Sequence, residues 1–231
     1  MKSSKELLTD RRIKSLSIAD SGKGKTYFIG TMIDCDVKPY IIATEKGLGT
    51  ICDKEFDYEE VNDWNSLRQE LAWYYNNYKE HGYDCLVIDS LTKAQQYLIK
   101  SVIGEATKVT QPQWGEIKER MKRLVQQIVD TCPTSFHMTV MAQESEDELT
   151  GIKKVMPCLD GAIRNWLPGE FDIVLYHDCG LKGGETQYWV QTQGDQRIIA
   201  RNRYDKLKKL NRLEPNNYSV IADIFQGGKN D

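Results

Sequence analysis

The chain has 231 residues, 40% hydrophobic and 28% charged, with a net charge of −3. That length buries a full core in one domain, roughly 70–75% of the unfolded surface, and the slightly acidic balance excludes a strongly basic nucleic-acid binder, though not a local basic groove. Six cysteines (Cys35, Cys52, Cys85, Cys132, Cys158, Cys179) form no CxxC pair and read as reduced thiols, and three isolated histidines (His81, His137, His177) suggest no metal site.

Residues 1–12 are polar and charged and read as a loose segment ahead of a domain spanning 13–231. No apolar run reaches 18 residues, so a cytoplasmic chain without membrane contact is expected. Lys14 to Ala19 reads as a strand and Lys25 to Met32 as a helix. Between them stands Ala19-Asp20-Ser21-Gly22-Lys23-Gly24-Lys25-Thr26. Strand, glycine loop, helix is the context of a phosphate-binding loop, because backbone N–H groups then converge on one anion. Gly22 and Gly24 let the backbone curl around phosphate, Lys25 reaches the β- and γ-phosphates, and the Thr26 hydroxyl ligates Mg²⁺. Asp20 through Tyr27 are the candidate nucleotide-binding residues.

Tyr40 to Thr44 is continuously apolar, as suits a strand buried on both faces, and ends at Glu45. Phe56 to Val61 reads as a short strand, and Trp64 to Lys79 as a helix capped by Asn62 or Asp63 and stopped by Gly82. Asp84 to Ser90 is a third strand, followed by a helix over Leu91–Val102, a polar loop over Gly104–Gln113 and a helix over Trp114–Val129. Ser135 to Ala142 is a fourth strand ending at Gln143, and the charged stretch Glu144 to Lys154 reads as an exposed mobile loop. A short helix over Asp160–Trp166 precedes three close strand candidates, Phe171–Tyr176, Gln187–Gln193 and Arg197–Ala200. Their succession without helices implies an antiparallel extension of the sheet. Asn217 to Phe225 is a last helix.

A phosphate loop needs two acids, one for the Mg²⁺ water shell and one for the attacking water. Asp89, at the carboxyl end of an apolar strand, fits the first role, and Glu45 fits the water-activating base. Gln143 ends another strand at the same edge, where an amide can contact the γ-phosphate.

This ordered set resembles the RecA-like recombinase ATPase core, and more closely the short phage-encoded RecA-like ATPases described as nucleotide-binding or single-strand-annealing proteins. Trp114-Gly115, Leu167 to Asp172 and Ala200-Arg201-Asn202-Arg203 add to the resemblance. It implies an α/β fold: a mostly parallel central sheet, helices on both faces and an antiparallel C-terminal extension. It also implies ATP and Mg²⁺ as cofactors, hydrolysis at the interface of a homo-oligomeric ring or filament, and a role in phage DNA recombination, annealing or replication in the host cytoplasm. Single-stranded DNA, or a single-strand-binding protein, is the implied partner. The loops implied to meet DNA are Gly104–Gln113 and Glu144–Cys158, the second rich in acids. Arg203, with Arg201 and Lys206 as neighbours, is the implied cation crossing to the next subunit. Two other readings fit the phosphate loop: a small-molecule phosphotransferase, and a nucleotide-gated assembly module with little turnover.

Overall fold

In the computed structural model of the protein, β1 (Lys14–Ala19) lies near the middle of a ten-stranded sheet. The structure describes residues 12–146, 151–205, 208–222 and 224, so the expected loose segment over 1–12 falls almost wholly outside them. Five more strands run parallel in β1's sense: β2 (Pro39–Ala43), β3 (Asp57–Glu60), β4 (Cys85–Asp89), β5 (Ser135–Glu146) and, after the short β6 (Lys153–Pro157), β7 (Ile173–Lys182). The antiparallel part consists of β6 on β5, β8 (Glu185–Gln191) and β9 (Arg201–Asn202) on β7, and β10 (Leu213–Pro215) on β8. Across the sheet the order is β10-β8-β7-β1-β5-β4-β2-β3. The fold is therefore α/β, with a mostly parallel sheet and antiparallel strands toward the C-terminus.

The parallel strands are apolar runs because both faces are covered. Every residue of β2 and β4 is buried. Alternation sends Leu86 and Ile88 of β4 to one core and Cys85 and Val87 to the other. The first core lies under α2 (Trp64–His81), α3 (Leu91–Ile103) and α4 (Gln111–Thr131), and the second under α1 (Lys25–Gly30) and the C-terminal segment. β3 closes one side of the sheet with all four residues exposed. β10 closes the other with two of its three residues exposed.

Local chemistry sets most boundaries. Asp63 accepts from the N–H groups of Asn65 and Ser66 at 2.7 and 2.8 Å, and Gly82 ends α2 in the left-handed region at φ 69°. α4 starts at Gln111 rather than Trp114, because Thr110 and Gln113 cap each other's backbone N–H groups and a proline stands in the first turn. This shortens the polar loop expected up to Gln113. α1 ends at Gly30 instead of Met32, where the bare Cα admits Ile51, whose Cγ2 would be 2.5 Å from a Cβ.

The larger correction concerns the two ends of the stretch read as a mobile loop, whose residues 147–150 lie outside the described residues. β5 runs past Ala142 to Glu146 and pairs antiparallel with β6, Gln143 opposite Met156 and Glu146 opposite Lys153. Charge did not prevent pairing because opposite charges lie close: Lys153 Nζ is 4.0 Å and Arg197 Nη2 3.5 Å from Glu144. Arg197–Ala200 forms no strand; Ile198 makes an isolated bridge to Val155, and the pairing on β7 starts at Arg201. The early short helix is α5 (Ile163–Trp166), and the last is α6 (Ser219–Ala222), with 223 and 225 outside the described residues.

Candidate functional site

β1 and β5 are in register, Ala19 opposite Met141, and β2 and β4 are in register, Ala43 opposite Asp89. Four strands thus deliver their carboxyl ends to one edge of the sheet, the place where an open parallel sheet leaves a crevice. A cavity of about 720 Å³ opens there. Ser21, Gly22, Gly24, Lys25, Thr26 and Tyr27 line it from the glycine loop, Glu45 and Asp89 from the ends of β2 and β4, and Met141 and Tyr188 from β5 and β8.

The loop takes the path its glycines permit. Gly22 and Gly24 have φ of 73° and 87°, left-handed values that cost other residues about 1–2 kcal/mol. Lys25 folds over the loop and donates to the carbonyls of Ala19 and Asp20 at 2.8 and 2.9 Å. Burial lowers its pKa, against the opposing pull of Asp89, Glu45 and Asp20. Lys23, expected on the phosphate, instead pairs with Asp178 of β7 at 2.8 Å, which raises its pKa. Neither Lys23 nor Asp20 lines the cavity, apart from the Asp20 carbonyl's bond to Lys25.

Asp89 is 6% exposed. Its Oδ2 accepts from the Thr26 hydroxyl at 3.3 Å, and its Oδ1 accepts from Thr139 of β5. Burial raises its pKa most; Thr139 opposes, Glu45 adds to the rise, and Lys25 and Thr26 oppose. Thr44 stitches the β2 and β4 ends together: its N–H donates to the Asp89 carbonyl at 2.8 Å, and its hydroxyl takes the Ser90 N–H at 2.7 Å. Ser90 in turn donates its hydroxyl to Glu45 Oε1. Glu45 is exposed at the cavity rim, while Asp89 lies beneath it.

Gln143 does not line the cavity. It lies two residues beyond Met141, half-buried in the β5–β6 ladder, because the strand continues where an end was expected. Arg203 is at the opposite edge of the sheet, donating to Asp172 Oδ1 at 2.9 Å and the Gly169 carbonyl at 2.8 Å. Asp172 donates its own N–H to Lys14, the first residue of β1. Arg201 is committed to the carbonyls of Pro168 and Phe171, and Lys206 lies outside the described residues. Within one chain, then, the structure unites Lys25, Thr26, Glu45 and Asp89 and keeps Arg203 apart.

Sequence reasoning missed Thr139, Ser90, Tyr188 and two of the histidines. His137 and His177 are distant in sequence yet both pack on Phe28 of α1, with ring centroids 5.5 and 5.1 Å away. Ser15 bonds His137 at 2.8 Å and Ser17 bonds His177 at 2.5 Å, so the sheet face under the loop is polar; His137 Nε2 is buried there with no hydrogen-bond partner among the described residues. The alternation Ser15-Leu16-Ser17-Ile18 was the available signal.

Thr26, Asp89 and Glu45 offer hard oxygen donors of the kind Mg²⁺ prefers. Among the described residues no group of three or more His, Cys, Asp or Glu could hold a metal alone, so an ion here would lean on substrate oxygens and water. No helix among the described residues is long and apolar enough to cross a membrane.

A family model described as an AAA domain matches residues 11–204. Solved structures similar to this one include a KaiC-like protein of the hyperthermophilic archaeon Pyrococcus horikoshii OT3. It is 13% identical over 81% of this chain and 80% of that one, with a TM-score of 0.49. No curated protein matches.

Proposed function

Since the chain belongs to the AAA-domain family, we propose that its carboxyl-edge cavity binds ATP with Mg²⁺ and hydrolyses the terminal phosphate. The observation that supports this most is the meeting of Lys25 and Thr26, from the glycine loop and the start of α1, with Glu45 and Asp89, from the ends of β2 and β4, in one cavity. Bound Mg²⁺ would supply charge neutralisation between phosphate oxygens, held by Thr26 and Asp89. The remaining work falls to this chain's own groups. Lys25 exchanges two backbone carbonyls for phosphate oxygens, which as anions are the stronger acceptors. Asp89, buried beside Thr26, keeps a carboxylate where a divalent cation would favour its charged form. Glu45 has one oxygen fixed by Ser90, which leaves Oε2 to orient a water at the rim.

The resemblance carries the reading further, to DNA recombination or single-strand annealing by an assembled ring or filament, with Arg203 serving a neighbour's cavity. Phosphate release should therefore be measured with and without single-stranded DNA, with size followed in parallel. Turnover that needs Lys25 supports the ATPase reading, and stimulation by DNA supports the DNA role. A wild-type protein that neither binds nor hydrolyses ATP overturns both. ATP-dependent assembly without turnover would favour an assembly module instead.

A further inference from the structure

The loop is held from behind by the other end of the chain. Asn216 is 5% exposed and donates from Nδ2 to the Gly24 carbonyl at 2.9 Å. Its Oδ1 is 2.9 Å from His177 Nδ1, and His177 Nε2 is 2.5 Å from Ser17 Oγ on β1. Both Ser17 and His177 are fully buried.

The chemistry allows one direction through this chain. An amide nitrogen only donates and an amide oxygen only accepts. With Nδ2 committed to Gly24, Oδ1 must take the Nδ1 proton of a neutral His177, whose Nε2 then accepts from Ser17. Burial pushes the His177 pKa down to about 3, in keeping with that neutral tautomer. Asn216 also fills the space over Gly24, where a Cβ would sit 2.3 Å from Nδ2. Two residues on, the Tyr218 N–H donates to Thr31 Oγ1 at 2.8 Å, just past the end of α1. The segment grips α1 before its first residue and after its last.

The Gly24 carbonyl and the Lys25 N–H belong to one planar trans peptide and point in opposite directions. The Phe28 N–H also donates to this oxygen, at 3.0 Å, so Asn216 is its second donor; the added anchor further constrains where the Lys25 N–H points, and hydrogen bonds on the oxygen polarise that N–H. We propose that Asn216 is a positioning residue of the nucleotide site, setting the Gly24–Lys25 peptide against the phosphates, with His177 and Ser17 fixing its amide. This rests on the nucleotide reading of the cavity.

Asn216→Asp tests it. At pH 8 the ionised side chain has no proton for the Gly24 carbonyl; once protonated, its O–H can donate there while its C=O still accepts from His177. The other titratable groups around the position are His177 of β7, Lys25 of α1 and Tyr188 of β8. Mg²⁺-ADP affinity is measured from pH 8 to 5.5 for variant and wild type, and their ratio taken because the phosphate itself titrates. At pH 8 the variant should bind about tenfold or more weakly, with the ratio closing toward one in acid. Equal affinity at pH 8, or a deficit unchanged by pH, overturns the proposal. If circular dichroism shows the variant unfolded, the wild type decides. Mg²⁺-ADP should then shift the NMR signals of the Asn216 side-chain amide and His177 Nδ1–H, and unmoved signals overturn the proposal. Lys25→Ala is the control. Equal binding by Lys25→Ala and wild type overturns the nucleotide reading and this proposal with it, whereas loss in Lys25→Ala beside full binding in Asn216→Asp overturns this proposal alone.

Discussion

Asp89→Asn should make the protein more stable and less able to bind nucleotide with Mg²⁺. Asparagine keeps the shape and the bonds: Oδ1 still accepts from Thr139, and Nδ2 can donate to Thr26 Oγ1, so no buried group loses a partner. What disappears is a buried negative charge. Its largest perturbation is desolvation, ahead of the Thr139 bond and of the attraction to Lys25, and the net shift is upward, so removing the charge relieves more than it forfeits. Because the folded-state pKa is raised, the folded protein holds more protons than the unfolded chain between the two pKa values. Wild-type stability therefore falls as pH rises from the ordinary carboxylate range through the folded value, and stays lower above it. Relieving a buried charge of this kind is worth on the order of 1–4 kcal/mol. A gain of about 1–2 kcal/mol at pH 8 would move a urea midpoint by roughly 0.5–1 M for a slope near 2 kcal/mol/M. The advantage should shrink as pH falls and wild-type Asp89 takes up its proton. Mg²⁺-ATP affinity should drop about 10- to 100-fold, the value of one interaction to a charged group. The assay is urea unfolding at several pH values beside a nucleotide titration. A variant less stable than wild type at pH 8, with nucleotide affinity intact, would refute the reasoning.

Further outcomes follow from the same geometry. Lys25→Ala removes the cation proposed to meet the phosphates and should abolish turnover and weaken ATP binding by at least about 100-fold in equilibrium titration. Glu45→Gln keeps an oxygen for the Ser90 hydroxyl and should retain ATP affinity while slowing phosphate release at least about 100-fold. Tyr188, 44% exposed on the cavity wall, has no competing burial to explain its position. Tyr188→Ala should weaken ATP by roughly 1–3 kcal/mol if its ring stacks on the base, yet leave inorganic triphosphate binding unchanged. His137, buried with its pKa pushed down to about 3, holds fewer protons folded than unfolded, so stability should decline as pH falls from about 6.5 toward 3. His137→Leu should flatten that decline in acid unfolding curves.

The strands that carry the site were legible because burial on both faces leaves nearly unbroken apolar runs, and each run stops at a chemically distinct residue: Ala19 before the glycines, Ala43 before Thr44-Glu45, Ile88 before Asp89. A cap at Asn62 or Asp63 and the Gly82 stop were equally plain; the structure chooses Asp63. Where the reading failed, the deciding interaction lay elsewhere in the chain. Glu144 and Lys153 look like a solvated charge run until the hairpin sets them opposite each other's strands. Gln143 looked like a strand end for the same reason. The start of α4 hinged on a two-residue cap, Thr110 with Gln113, hidden in a polar stretch. Thr139 and Asn216 reach Asp89 and Gly24 across 50 and 192 residues, separations at which periodicity carries no signal.

The two borders of the sheet bear on how the protein behaves in a crowded solution. A free strand border is a template on which any other extended chain can condense. Here β3 presents Asp57, Glu59 and Glu60 to solvent, so a second copy approaching in register would stack like charge on like. The β10 border is three residues long and ends at Pro215, which has no N–H to offer. Growth of the sheet from molecule to molecule is thus discouraged at both borders, by repulsion at one and by a missing donor at the other.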